Sequence, residues 1–222
     1  MAYYSIVLFC IWPGSIVINQ YSYVEQQRLT LQCGSALPAA QSLLQLAGQQ
    51  PLLAQLAAAP SAQQLLNAIE QAYQAGYEQQ ASTEFELQGL AIAGVGDPLL
   101  QPELLAQLLP AFKAQRHGVP VTLVSYGLVS PTVAPALCQQ LLMLGVEKLE
   151  LYLPATNPPA YQQAVQPTQL GFSELCQFIH TASDAGLYVS CFAFAPCQQA
   201  AELRALAREL GARAFMVKQQ GD

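Results

Sequence analysis

From residue 85 onward the chain alternates between two kinds of segment, and that alternation restricts its fold more than any other feature. Apolar runs of strand length are followed by stretches whose apolar residues recur at helical spacing and stop at a glycine or a turn. The order reads β, α, β, α, β, α, β, α, β. Strands separated by helices pair in parallel through right-handed crossovers, so an α/β class is expected. The expected strands are Phe85 to Ala93, Pro120 to Val124, Val146 to Leu153, Leu187 to Ala195 and Arg213 to Lys218. Between them, Leu104, Leu105, Leu108 and Phe112 form one helical stripe, opened by Pro102-Glu103 and expected to kink or end early at Pro110. Pro135 to Leu144 forms the next helix, stopped by Gly145. Ser173 reads as the cap of a helix carrying Leu175, Phe178, Ile179 and Ala182, stopped by Gly186. Ala200, Leu203, Leu206, Ala207 and Leu210 stripe the last helix, stopped by Gly211.

Upstream, Ser5 to Cys10 and Ser15 to Asn19 read as short strands around a Pro13-Gly14 turn. Gln20 to Gln32 is polar, weakly periodic and reads as a long loop. Residues 36–60 are rich in Ala, Gln and Leu; two short helices separated by Gly48 and Pro51, in an inserted packing segment, are expected there. Ser61 has the chemistry of a helix cap, with Leu65, Leu66, Ile69, Ala72 and Tyr73 at helical spacing after it, as far as Gly76. Counting Ser15 to Asn19 with the helix after Ser61 gives six β/α units, the last without its helix. That is too few for a closed eight-stranded barrel and leaves an open partial barrel or a doubly wound sheet. At 222 residues the chain is read as one domain with a sizeable core.

Charge excludes several functions. Only 10% of residues are charged, the net charge is −6, and the eight basic residues are isolated, so the footprint of nucleic-acid binding is missing. No Lys or Arg precedes Arg28, so the apolar start lacks a signal-peptide n-region. The run Ile6 to Trp12 is too short to span a bilayer. A cytoplasmic protein is expected. The six cysteines (Cys10, Cys33, Cys138, Cys176, Cys191 and Cys197) contain no CxxC pair, and the two histidines are His117 and His180. No metal site is read from them. Cys138 and Cys176 fall on apolar helix faces and are expected to pack as small hydrophobes.

The candidate site lies in Leu90-Ala91-Ile92-Ala93-Gly94-Val95-Gly96-Asp97-Pro98-Leu99-Leu100. An apolar strand runs into glycines, then an acid, then proline. Glycines allow close backbone approach to a ligand, and α/β sites gather at the carboxyl ends of strands. The same segment also reads as a tight βα turn with no ligand. Nothing in the chain matches a Ser/His/Asp triad, a P-loop or a Rossmann fingerprint.

Three strand ends, taken in order, carry a resemblance. They are Gly94-Val95-Gly96-Asp97-Pro98, then Ser125-Tyr126-Gly127-Leu128, then Leu149 to Thr156 with Tyr161. This order resembles the radical S-adenosylmethionine (radical SAM) superfamily, nearest to its TatD-associated subgroup, whose short strand, turn and Ile-Asn strand are similar to Ser5 to Asn19. The resemblance implies a partial (β/α)6 barrel with parallel strands and a short N-terminal β element. It implies AdoMet at the strand ends, with Gly94, Gly96, Asp97, Pro98, Ser125 and Gly127 as the cofactor-binding positions. The family also carries a CxxxCxxC loop that holds a [4Fe–4S] cluster. Here the matching positions are Val24, Arg28 and Leu31, none of them a thiolate ligand. Asp97 stands where Glu is usual, and Ser125-Tyr126 where Thr-Asn is usual. Lys218 matches a basic position of the family's last strand and also reads as a solvated strand end.

The resemblance and its departures together imply a degenerate radical SAM-like protein, without cluster, metal or catalytic residue. It would keep an AdoMet or nucleotide pocket or serve a protein partner. Two alternatives stand beside it: an active radical SAM enzyme with unusual cluster ligands, drawing on Cys10, Cys33, Cys191 and Cys197, and an unrelated small barrel lyase or isomerase.

Overall fold

The computed structural model describes residues 5–11, 15–21 and 29–31 as backbone, and residues 61–67, 69–70, 89–92, 97–167 and 169–218. The 36–60 segment, Gly94, Gly96, Val24 and Arg28 lie outside the described residues. Those up to Thr122 fall in one compact unit and those from Leu123 on in a second.

In the first unit β1 (Ser5–Ile11) and β2 (Ser15–Tyr21) form an antiparallel hairpin, with Ser5 opposite Tyr21 and Ile11 opposite Ser15. On its other side β1 pairs in parallel with β3 (Leu29–Leu31), and β3 pairs in parallel with β4 (Leu90–Ile92). The order is β2-β1-β3-β4. Two expectations are corrected here. Ser15 to Asn19 is no parallel β/α strand: the short Pro13-Gly14 connection can only return the chain antiparallel, because a parallel crossover needs a dozen residues or more. The expected loop over 20–32 contains a strand, Leu29-Thr30-Leu31, which is too short to show a period and is defined by its two neighbours.

A helix, α1, runs through residues 62–67 and 69–70. Its start matches the sequence expectation: the Gln64 amide donates to Ser61 Oγ at 3.2 Å, and the Ser61 amide donates to Gln64 Oε1 at 2.8 Å. Leu65 and Ile69 are buried, and Arg116 Nη2 lies 2.7 Å from both oxygens of Glu70. After a 3₁₀ turn (Pro98–Leu100) comes α2 (Pro102–Gln115), which continues past Pro110. The expected early end is corrected. One ring costs one intrahelical bond, whereas Leu105, Leu108, Leu109 and Phe112 on either side of it are all buried and hold the helix in place.

The chain passes between the units within β5 (Val121–Ser125). The second unit continues with α3 (Ala134–Met143), β6 (Val146–Tyr152), α4 (Pro158–Val165), α5 (Phe172–Asp184), β7 (Tyr188–Phe194), α6 (Ala200–Glu209) and β8 (Ala214–Lys218). The strand order is β5-β6-β7-β8, and β6, β7 and β8 pair in parallel. From β4 onward, then, strands alternate with helices as expected for a parallel α/β fold.

Helix ends explain the remaining differences. α4 has no counterpart among the expected elements. Asn157 caps it, its Oδ1 accepting the Ala160 amide at 3.1 Å, and two prolines sit in the first turn where their missing N–H groups cost nothing. Asn157→Ala is expected to lower stability by about 1 kcal/mol, read as a small shift in a urea melt. Ser173 is not the cap of α5. The cap is Gly171, whose amide donates to Glu174 Oε2 at 2.8 Å, so a side chain inside the first turn reaches back instead.

The helix-facing side of β6 and β7 forms the second unit's core. Leu149, Leu151, Val189 and Cys191 alternate along the strands and are buried, as are Leu175, Phe178 and Ile179 of α5. Cys138 is fully buried on α3 and Cys176 partly so on α5. Burial raises both thiols to about 11, the state of inert packing residues.

Candidate functional site

Two strand ends named by the sequence resolve into local turns. In the first unit, Asp97 is buried, and its Oδ1 accepts the Leu99 amide at 3.0 Å, capping the 3₁₀ turn that Pro98 opens. In the second, Ser125 Oγ accepts the Gly127 amide at 2.8 Å, just past β5. Both are the same device. A short side chain, the last residue of β5 in one case and five residues beyond β4 in the other, bonds the amide two residues on and holds the backbone in a turn. Gly127 has φ +66°, and a Cβ there would lie 2.7 Å from Leu175 Cδ1. Asp97 and Pro98 therefore belong to one unit, Ser125 and Gly127 to the other.

The strongest concentration of polar chemistry among the described residues lies elsewhere, on the face of β6, β7 and β8 turned away from the helices. Side chains alternate along a strand, so Lys148, Glu150 and Tyr152 share that face of β6. Register extends it: Lys148 pairs with Tyr188, Glu150 with Ser190 and Tyr152 with Phe192, and on β8 Ala214, Met216 and Lys218 lie beside Ser190, Phe192 and Phe194.

Glu150 is the centre of this face. Its side chain is 1% exposed, and each oxygen takes an ammonium: Lys148 Nζ donates to Oε1 at 2.6 Å and Lys218 Nζ to Oε2 at 2.6 Å. Lys218 reaches it from two strands away, a backbone separation of about 10 Å. Its ammonium lies 4.4 Å from the centre of the Phe192 ring on the intervening strand. Burial by itself would raise the Glu150 carboxyl, but the charges and hydrogen bonds of Lys218 and Lys148 overcome that and pull it down to about 2. Glu150 is thus a fixed anion at any ordinary pH.

Aromatic rings continue from this cluster toward the carboxyl ends of the strands. Tyr152 contacts Tyr126 edge-on at 5.8 Å, Phe192 at 5.4 Å and Phe194 at 5.5 Å, and Phe192 meets Phe194 at 5.6 Å. Burial, and then the nearby Cys197, raise the Tyr152 hydroxyl above its ordinary value, so it stays protonated. Beside Glu150, Ser190 Oγ is buried with no hydrogen-bond partner among the described residues.

This places Lys218 differently from the solvated strand end that sequence suggests: its ammonium is ion-paired and its side chain only 22% exposed. Glu150 and Lys148 draw no role from sequence reasoning. One signal is legible there. Glu150 stands between Leu149 and Leu151 in a strand bound for the core, and a charge in that setting needs a partner. The partner lies 68 residues away, beyond any local pattern.

No group of His, Cys, Asp and Glu able to hold a metal occurs among the described residues, and no helix there is long and apolar enough to cross a membrane. No family model and no curated protein matches the chain. Solved structures similar to it include a protein assigned as a phosphonomutase from Burkholderia cenocepacia J2315, with 14% identity and TM-score 0.37, covering 64% of this chain and 62% of that one. They also include an enolase from Gibberella zeae PH-1, with 16% identity and TM-score 0.33, covering 72% of this chain and 36% of that one. The chain therefore matches less than two thirds of either length.

Proposed function

We propose that this chain is a degenerate radical SAM-like protein of the cytoplasm, a partial-barrel binding domain without [4Fe–4S] cluster or radical chemistry. Its role is to hold a small ligand of the AdoMet or nucleotide class, or a protein partner, at its strand ends. The observation that carries the reading is the chemistry at the cluster positions. Val24, Arg28 and Leu31 stand where the family has thiolates. Leu31, moreover, ends a three-residue strand paired on both sides instead of lying in a free loop. Two hydrocarbons and a cation do not fit an iron–sulfur cluster, so no step is derived through one. The alternative of unusual cysteine ligands draws no support from Cys191, whose thiol is pushed up to about 12 by burial and then by Cys176.

AdoMet fits weakly. Asp97 has the charge to take its amino group, but Oδ1 already caps the Leu99 amide, so the ligand competes with a bond the fold uses. Of the other positions the resemblance implies, Gly94 and Gly96 lie outside the described residues, Pro98 opens its own 3₁₀ turn, and Ser125 and Gly127 shape a second turn in the other unit.

Iron and sulfide analysis after anaerobic reconstitution tests the reading: substoichiometric iron is expected, and a stoichiometric [4Fe–4S] absorbance overturns it. Calorimetric titration with AdoMet then separates pocket from scaffold. Asp97→Ala is expected to weaken binding about tenfold while costing the fold about 1 kcal/mol through the lost cap. Equal affinity in both proteins, or no binding in either, removes the pocket.

A further inference from the structure

We infer that the β6–β8 face of the second unit is a binding site for a small carboxylate carried on a planar ring, with Lys218 as its anion receptor and the half-buried rings of Tyr152 and Phe194, backed by the buried Phe192, as the surface for the ring. The inference rests on the geometry of these strands alone and stands whether or not AdoMet binds at the strand ends.

Four observations converge. The first is charge. Lys148 and Lys218 both bring a positive charge to Glu150, and each lysine side chain is about one fifth exposed, so the charge this cluster presents to a ligand is that of its ammoniums. A carboxylate is the complementary charge. Both Glu150 oxygens already hold an ammonium, so the Glu150 carboxylate is not offered to a cation. The second is donor capacity. Each ammonium has three N–H groups and spends one on Glu150. Ser190 adds a buried hydroxyl without an acceptor among the described residues, in register between Glu150 and Ala214. These donors all lie on one face.

The third is preorganisation. Glu150 holds the Lys218 ammonium from one side and the Phe192 ring lies 4.4 Å away, so the cation is fixed before a ligand arrives. The fourth is the wall. Tyr152, Phe192 and Phe194 are in mutual ring contact, and Tyr152, Phe194 and Lys218 are each only half-buried, so both rings and charge can be reached. An adjoining cation and aromatic surface accept a planar ring bearing one carboxylate.

The test uses the whole chain and benzoate, monitored by titration calorimetry and ligand-observed NMR. Benzoate is expected to saturate one site at millimolar concentration or below. Benzamide, the same shape without charge, and inorganic phosphate, charge without a ring, should each bind about tenfold more weakly, the loss of one charge-assisted bond or one ring surface. Lys218→Met keeps the stem and removes the charge, and should abolish the preference for benzoate over benzamide. Phe194→Leu should weaken benzoate about fivefold. Should Lys218→Met fail to fold, the benzoate–benzamide comparison on the unaltered chain decides alone. No saturable benzoate binding, equal affinity for benzamide, phosphate binding as tight as benzoate, or a folded Lys218→Met variant with unchanged benzoate affinity each overturns the proposal.

Discussion

Glu150→Gln is expected to lower the stability of the protein by about 3 kcal/mol, the range for breaking a buried ion pair from one side. The amide keeps the shape of the carboxylate and loses its charge. Lys148 and Lys218 then face each other's field in a half-buried place with no anion between them, and the N–H···O bonds at 2.6 Å lose their charge assistance on the acceptor side. Both lysines can partly withdraw to water, which keeps the loss from growing larger. Chemical denaturation of the variant beside the unaltered chain measures it.

The same carboxylate predicts an acid transition. Its folded value, about 2, lies below its ordinary value of 4.5. A depressed acid stabilises the fold above the ordinary value, and that contribution fades as pH falls from about 4.5 toward 2. Protonation and the substitution remove the same charge from the same two lysines, so the two losses are expected to be of similar size, about 3 kcal/mol. Glu150→Gln should flatten the stability profile across this window. A profile with the same slope in both proteins would assign the acid sensitivity to other carboxylates.

Gly127→Ala is expected to cost about 3 kcal/mol, from two separate sources. At φ +66° a side chain incurs the left-handed penalty of about 1–2 kcal/mol. The added methyl would also stand 2.7 Å from Leu175 Cδ1 and 3.3 Å from Phe178 Cδ1, both in the buried stripe of α5, and overpacking there costs about 1–3 kcal/mol. Gly118 makes the control. Its φ is +82°, but a Cβ there would meet nothing within 4 Å, so Gly118→Ala should show the backbone cost alone. Thermal melts of the two variants separate packing from conformation, and equal losses would refute the packing part.

Much of the second unit is legible along the chain. Leu175, Phe178, Ile179 and Ala182 recur at helical spacing and are all buried, and Gly186 and Gly211 lie just past helix ends at φ +98° and +94°. These features are local, because spacing and backbone freedom act over a few residues. Where sequence and structure part, a distant partner or a competing cap decides. Leu29–Leu31 is a strand because β1 and β4 flank it. Pro110 sits inside a helix because the buried residues around it outweigh one lost bond. At Gly171, the Glu174 carboxylate takes the amide although Ser173 has the better capping chemistry.

The site divides along the same line. Asp97, Ser125 and Gly127 are marked by residue type, and each shapes its own turn, since a side chain two residues from an amide can reach it whatever the rest of the chain does. The ion cluster is different. Lys148, Glu150 and Lys218 are visible as letters, but only parallel pairing in register through β7 sets a lysine from β8 against a glutamate of β6. In the second unit, apolar runs separated by stripes of helical spacing were enough to determine that parallel strands lie between helices, because burial needs only the right period. Which charges meet on the face of β6–β8 was left to the tertiary structure, because Coulomb attraction depends on distance in space and carries no trace in local spacing.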